Sequence, residues 1–282
     1  MIARTVRNVV SGVNDRFTIA PTPLLSALTD GAVETRRDLT AGGARYRTYA
    51  LLAESAAHTI DSLAAIKKVI FEEKAATLVD LCAALAADFD GFGPLRARLL
   101  AAPKYGNDDP YADAVGQAMI DAFVEAVSRH AQQHQQTIGF PAGVGTFSWY
   151  IGIGEGLGAS ADGRRAGEPV SSNFSPALGR DKNGIPCAIL SYAAMHKGNL
   201  PAGGPLDLRL NRSLVQGEAG TQRMVGLVRS FVDTGGNMLT LTVVDAAELR
   251  AAQIDPDRYR SLRVRMGGWC AYFTMLSREQ QE

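Results

Sequence analysis

The chain has 282 residues, 46% hydrophobic and 21% charged, enough for one large domain or two modest ones with a real core. Lys plus Arg and Asp plus Glu both number 29, so there is no basic field for a nucleic acid and no cationic face for a membrane surface. Cys82, Cys187 and Cys270 are widely spaced and odd in number, which argues against a disulfide framework and for a reducing compartment. No window of about 18 apolar residues offers a membrane span, and the charged amino terminus lacks the apolar run of a secretory signal, so the cytoplasm is the expected location.

In chain order, Pro21–Asp30 reads as a short capped helix after a proline-marked turn, followed by a loop-rich stretch. Leu51–Glu73 carries Ile60, Leu63, Ile66 and Ile70 at helical spacing, with Asp61 and Ser62 able to cap a second segment. Thr77 with Asp80 forms a capping signature for a helix to Phe89, on which Cys82 is expected to be a small buried hydrophobe. A short helix, a turn over Pro103–Pro110 and a long alanine-rich helix follow, making the first half helix-rich.

After Gly139 the composition shifts to glycine, aromatic and β-branched residues. Thr146–Ile151 and Cys187–Ala193 are expected to be strands flanking a long Gly/Pro-rich loop, and loops of that length in compact domains tend to carry function. A helix over Leu214–Val232, a strand in "NMLTLTVVD" and a helix capped by Asp245 come next. In "LRVRM", Leu262, Val264 and Met266 alternate with Arg263 and Arg265, and "WCAYFTML" is a second strand candidate. The alternation of helices and strands favours an α/β architecture.

Other chemistry is weakly signalled. "YIGIGEGLGA" superficially fits a dinucleotide fingerprint, but "SADGRRAGEP" follows it instead of a helix that could hold a pyrophosphate. His130 and His134 stand four apart in a polar, solvated stretch without an HExxH arrangement, so no metal is expected. The long loop could simply be braced by its Arg residues and Asp162.

The informative feature is Gly267–Gly268 between two strands. A surface hairpin would bring Asn, Asp, Ser or Lys with its glycine, whereas Met266, Trp269, Ala271, Tyr272 and Phe273 crowd this pair and predict a buried loop. A buried glycine can lose one α hydrogen, because the unpaired electron spreads over the amide nitrogen and carbonyl and no side chain opposes the planarity required. Burial then protects the carbon from dioxygen.

The stretch "VRMGGWCAYFTMLSREQQE" resembles the radical-site motif of the glycyl radical enzymes, the pyruvate formate-lyase-like family. "SLAAIKKVIF", "APKYGNDD", "GASADGRRAGEPVSSNFSPALGRDKNGIP", "TGGN" and "IDPDRYRSLRVR" look like further segments of that family in the same order. Residue-by-residue matching places the radical on Gly268, flanked by Arg265, Met266, Gly267 and Trp269; the resemblance also puts the long loop near the barrel mouth, which implies that Arg164, Arg165, Asn173 and Ser175 could orient a polar substrate, with Asn173 and Ser175 the substrate-binding candidates.

The resemblance implies part of a ten-stranded α/β barrel, with residues 1–145 the carboxy-terminal part of the pyruvate formate-lyase-like domain and 146–282 a glycine radical domain truncated at its end. It implies an enzyme, a lyase or acyltransferase-type protein that cleaves a small organic substrate as lyase, dehydratase or decarboxylase. No bound cofactor is expected beyond the protein-derived radical, installed by a partner activating enzyme that uses S-adenosylmethionine and an iron-sulfur cluster. The family's catalytic cysteine has no match here: Cys82 is on a helix and Cys270 is beside the radical glycine. The expectation is therefore a chain inactive alone, needing a cysteine-bearing amino-terminal chain or region and working within a homo-oligomer. The alternative is a noncatalytic rescue subunit that lends its radical loop to another enzyme of the family.

Overall fold

The computed structural model describes residues 1–134, 138–195, 199–266 and 269–281. Helices α1 (Ile2–Ile19), α2 (Pro23–Ala27) and α3 (Ala32–Thr35) precede strand β1 (Leu51–Ala53) and helix α4 (Ala56–Ala65). Then come α5 (Leu78–Ala86), α6 (Gly93–Ala101), the long α7 (Pro110–Ala131), strand β2 (Ala142–Val144), α8 (Tyr150–Glu155) and α9 (Ile185–Met195). Strand β3 (Leu206–Asn211), α10 (Gly217–Asp233), β4 (Leu239–Val244), α11 (Ala246–Ile254), the ribbon β5 (Arg263–Met266) and β6 (Trp269–Tyr272), and α12 (Arg278–Gln281) complete the order. The result is α/β with a helix-rich first half. Among the described residues no helix is long and apolar enough to cross a membrane.

The chain forms two compact units. One comprises Met1–Leu52, Asp121–Gly143 and Asn199–Ala202. Its buried apolar residues include Val6 and Val13, seven apart on one face of α1, and Val127 and Ala131, four apart on α7. Asp38 ties its loops together: Oδ1 accepts from Thr40 N at 2.8 Å, and Oδ2 accepts from Thr22 N at 3.0 Å and Ser26 Oγ at 2.9 Å. These bonds, the Thr40 hydroxyl first, hold its carboxyl down to about 2.

The other unit comprises Ala53–Ile120, Val144–Gly198 and Gly203–Glu282. Its frame is the parallel pair β3 and β4, in register Leu206 to Leu239 through Asn211 to Val244, with α10 as the crossover. Alternation turns Leu206, Leu208 and Leu210 into the core and Asp207 and Arg209 to the opposite face. Behind the strands an aromatic row fills the interior: Tyr105 stacks on Phe174 at 5.6 Å, Phe174 meets Tyr192 edge-on at 5.6 Å, and Tyr192 stacks on Phe231 at 5.4 Å. Tyr105 donates its hydroxyl to Phe174 O at 3.0 Å, and Tyr192 Oη lies 2.8 Å from Gly204 O, so both rings keep their polar ends satisfied.

Helix α4 widens after Ala65 into a π-helix over Ile66–Glu72, closed by Glu73 N donating to Lys68 O at 2.9 Å. The expected break at Asp61 and Ser62 does not occur. Asp61 is fully buried and its Oδ1 accepts from Tyr105 N at 2.8 Å, so it anchors the turn before α7 instead of capping a helix. Thr77 and Asp80 form the expected reciprocal cap of α5. Cys82, expected inside, is exposed, because Leu81 and Ala84 take the buried face of that helix.

Two segments expected as strands are not extended. Thr146–Ile151 leads into α8, and Cys187–Ala193 lies within α9, where Ala188, Ile189, Tyr192 and Met195 are buried at helical spacing.

Burial raises the Asp61 carboxyl to about 7, while the neighbouring Lys104, buried and donating to Leu99 O and Ala102 O, is drawn down to about 8. A raised carboxyl pKa means the native state favours the protonated form, so stability from this group falls as pH rises from about 4 to about 7. Asp61→Asn keeps the acceptor for Tyr105 N and cannot ionise. Its urea midpoint is expected to rise relative to the parent over that window and hold a constant lead above it. A constant difference from pH 4 to pH 8 would show that Asp61 does not titrate with folding.

Candidate functional site

Strands β5 and β6 pair antiparallel in the register Arg263 to Tyr272, Val264 to Ala271, Arg265 to Cys270 and Met266 to Trp269. Gly267 and Gly268, the motif's centre, lie outside the described residues, and so does the side chain of Met266. The ladder continues where Phe273 N donates to Leu262 O at 2.8 Å, and Phe273 is buried. The far end is tied by Gln281 Nε2, which donates to Phe273 O and Leu276 O at 3.1 and 3.0 Å.

Arginines dress one face of the ribbon. Arg263 lies over the Tyr272 ring at 5.2 Å and donates to its hydroxyl at 3.1 Å, and Arg265 Nη1 reaches Cys270 Sγ at 3.5 Å. The apolar neighbours expected to crowd the glycine pair are themselves open to solvent in this chain, Trp269 46% exposed, Tyr272 39% and Met275 81%, while the loop expected to be buried lies outside the described residues. The reason is geometric: a two-stranded ribbon has two faces, and the chain itself supplies cover for Phe273 but not for these side chains.

The segment Ser171–Ser175 meets the polar face of β3. Ser172 Oγ and Asn173 Nδ2 donate to Asp207 Oδ2 at 2.9 and 2.7 Å, while Asp207 N donates to Ser175 Oγ at 2.8 Å. Asn173 adopts φ +48°, and its Oδ1 accepts from Thr146 N and Phe147 N at 3.1 and 2.9 Å. Asparagine tolerates this left-handed backbone better than most side chains. Asn173 and Ser175 are therefore buried and engaged by neighbouring segments, which holds this stretch rigidly beside the sheet.

The long loop before it is braced. Asp162 is buried, its Oδ2 lies 2.7 Å from His58 Nδ1, and its Oδ1 accepts from Ser160 Oγ at 2.5 Å. Burial alone would raise its carboxyl, but the hydrogen bond and charge of His58, with the Ser160 and Arg164 bonds, hold it at about 2. The Arg164 guanidinium donates to the carbonyls of Gly158, Arg165 and Glu168. Arg165 instead pairs with Asp88 at 3.4 Å. The bracing reading holds for Arg164 and Asp162. Glycine in the fingerprint-like stretch also has a packing reason: a Cβ on Gly154 would stand 2.3 Å from Glu168 O, so the backbones of α8 and the loop touch there.

Sequence reasoning missed Asp207 and His58. The alternation of Leu206, Leu208 and Leu210 could have put Asp207 on the polar face. Nothing local marks His58, whose partner is 104 residues away. Among the described residues no group of three or more His, Cys, Asp and Glu is arranged to hold a metal ion.

Comparison with known proteins gives this geometry its context. Residues 4–154 match the family described as pyruvate formate lyase-like, and residues 170–274 match the glycine radical family. The chain is 36% identical over 228 residues to the isethionate sulfite-lyase of Desulfovibrio desulfuricans, covering 79% of this chain and 27% of the relative. It is 35% identical over 273 residues to the trans-4-hydroxy-L-proline dehydratase of Clostridioides difficile, covering 93% of this chain and 33% of the relative. Among solved structures, the glycerol-bound B12-independent glycerol dehydratase from Clostridium butyricum superposes with a TM-score of 0.91 at 28% identity, over 99% of this chain and 36% of that one. A glycyl radical enzyme from Archaeoglobus fulgidus gives 0.89 at 33% identity, again over 99% and 36%. The chain thus spans roughly a third of the length of the relatives it matches, and with both family signatures in their order along it, it belongs to the glycyl radical enzymes of the pyruvate formate-lyase-like family.

Proposed function

We propose that this chain is the radical-bearing portion of a glycyl radical enzyme, with Gly268 storing the unpaired electron used to cleave a small organic substrate by a lyase, dehydratase or decarboxylase reaction. The observation that carries this reading is the glycine radical match over residues 170–274, which spans Arg265 to Trp269. The relatives named above are a sulfite-lyase and dehydratases, which supports bond cleavage next to a substrate radical over acyl transfer.

The chemistry needs little from side chains at the radical itself. Loss of one α hydrogen leaves a planar carbon whose electron is shared with the flanking amides, and a radical S-adenosylmethionine activating enzyme would remove that hydrogen. What this chain contributes is position. The β5 and β6 ladder pairs Met266 with Trp269, the residues that flank the glycine pair in sequence, and in this reading Gly267 is the small neighbour and Arg265 part of the strand that leads to the radical carbon. Asn173 and Ser175, buried and locked to β3, would brace the substrate-side loop in a pre-set position.

A thiol relay is left to a cysteine-bearing amino-terminal chain or region, so this chain is inactive alone. The residues 1–145 and 146–282 would then be its two domain portions. The exposed Trp269, Tyr272 and Met275 support an assembly in which another region, in a cytoplasmic oligomer, shelters the ribbon.

Anaerobic activation of the assembled protein should yield an electron paramagnetic resonance doublet, split by the remaining α hydrogen, that collapses when glycine is α-deuterated. Brief air exposure should then cut the chain at Gly268, read by mass spectrometry. A chain left whole after the signal has decayed would overturn the assignment.

A further inference from the structure

The carboxylate of Asp207 is half used. Oδ2 accepts from Ser172 and Asn173, while Oδ1 is buried and finds no donor among the described residues. Asp207 lines a small cavity of about 20 Å³, which Tyr150, Arg209, Thr240, Thr242 and Arg265 also line. Thr240 stands beside Asp207, and Thr242 beside Arg209, in the parallel register, so the cavity lies on the polar face of the β3 and β4 pair. Arg265 reaches it from the strand that enters the radical motif. Its guanidinium touches Cys270 Sγ, a weak acceptor, and among the described residues no carboxylate lies within ion-pair distance of it. A buried anion lacking a donor and a cation lacking an anion therefore face one space, and a guanidinium forms its strongest contacts with a carboxylate.

We propose that Asp207 is a positioning residue for the radical strand: the Arg265 guanidinium exchanges Cys270 Sγ for Asp207 Oδ1 and so latches β5 to the sheet. The latch itself is a property of two strands, and only its purpose, holding Gly268 in place, rests on the radical reading. Arg209 is the rival cation. It stands on the same strand as Asp207, however, so pairing there would tie β5 to nothing.

Hydrogen exchange of the purified protein, followed on peptides covering residues 262–266 and 269–273, separates these cases. Asp207→Asn keeps an acceptor for Ser172 and Asn173 but removes the charge, and it should speed exchange in both peptides several-fold. Arg265→Ala should do the same, the double variant should add nothing further, and the exchanged pair Asp207→Arg with Arg265→Asp should recover part of the protection. Faster exchange in Arg209→Ala with none in Arg265→Ala would overturn the latch, as would additive effects in the double variant. In activated protein, Asp207→Asn should also shorten the lifetime of the doublet without changing its splitting. An unlatched strand with an intact doublet lifetime would leave the radical assignment standing and overturn the positioning role. Absence of any doublet in the parent would instead remove the radical reading and leave the exchange result to judge the latch.

Discussion

Gly268→Ala is expected to give no electron paramagnetic resonance doublet after activation and to lower turnover of the complete assembly by at least about 10⁶-fold, the low end of enzymatic acceleration, limited only by assay background. A methyl group on that carbon would crowd the carbonyl oxygen once the centre flattens, which weakens the sharing of the electron that makes abstraction feasible. The same substitution at Gly267 should leave a doublet of unchanged splitting at lower yield, since that residue is a close-packing neighbour and not the radical carbon. A doublet that persists in Gly268→Ala would move the radical elsewhere. No other residue in the chain offers a larger expected effect on activity.

The largest expected effect on stability sits at Asp162. Its side chain is fully buried, and it holds together α4, through His58 and Ser62, and the loop, through Ser160 and the Arg164 amide. Asp162→Ala leaves those donors buried without an acceptor, and breaking a buried pair of this kind costs about 3–5 kcal/mol. Asp162→Asn, which retains one acceptor, should cost less. The pH behaviour has a definite sign. Because the folded carboxyl is held at about 2, below its unfolded value, the stabilisation is complete above about 4 and is lost as pH falls through about 2. Denaturant midpoints of the parent should therefore drop over that acid window, and those of Asp162→Ala should be flatter. Equal slopes for the two would show that the carboxylate does not carry the acid sensitivity.

How much of this was legible in the chain depends on how local the cause is. The caps at Thr77 and Asp245, the strand before Asp245 and the alternation around Arg263 and Arg265 are decided within a few residues, and they were readable. The family was readable because several segments resemble its motifs in order, as the matches over residues 4–154 and 170–274 bear out, whereas Gly268 itself lies outside the described residues. The segment around Tyr150 misled because aromatic and β-branched residues favour strands, while the glycine at 154 lets a helix turn press its backbone onto Glu168 and Pro169. Cys187–Ala193 misled because a short apolar run fits either period, and Pro186 in the first helical turn was the stronger signal. The pairing of His58 with Asp162 and the half-used carboxylate of Asp207 arise from contacts between distant segments, which no window of sequence contains.

The π-helix at Ile66–Glu72 has a genetic corollary. Each π turn holds roughly one residue more than the α turn it replaces, so loss of a single codon within this segment could be absorbed by relaxation to ordinary α geometry. The same deletion in the middle of α4 would rotate His58 away from Asp162 or Val69 and Ile70 out of the core. Scanning single-codon deletions along residues 56–72 should therefore reveal an island of tolerance over the wide turns, bordered by positions where the protein fails to accumulate.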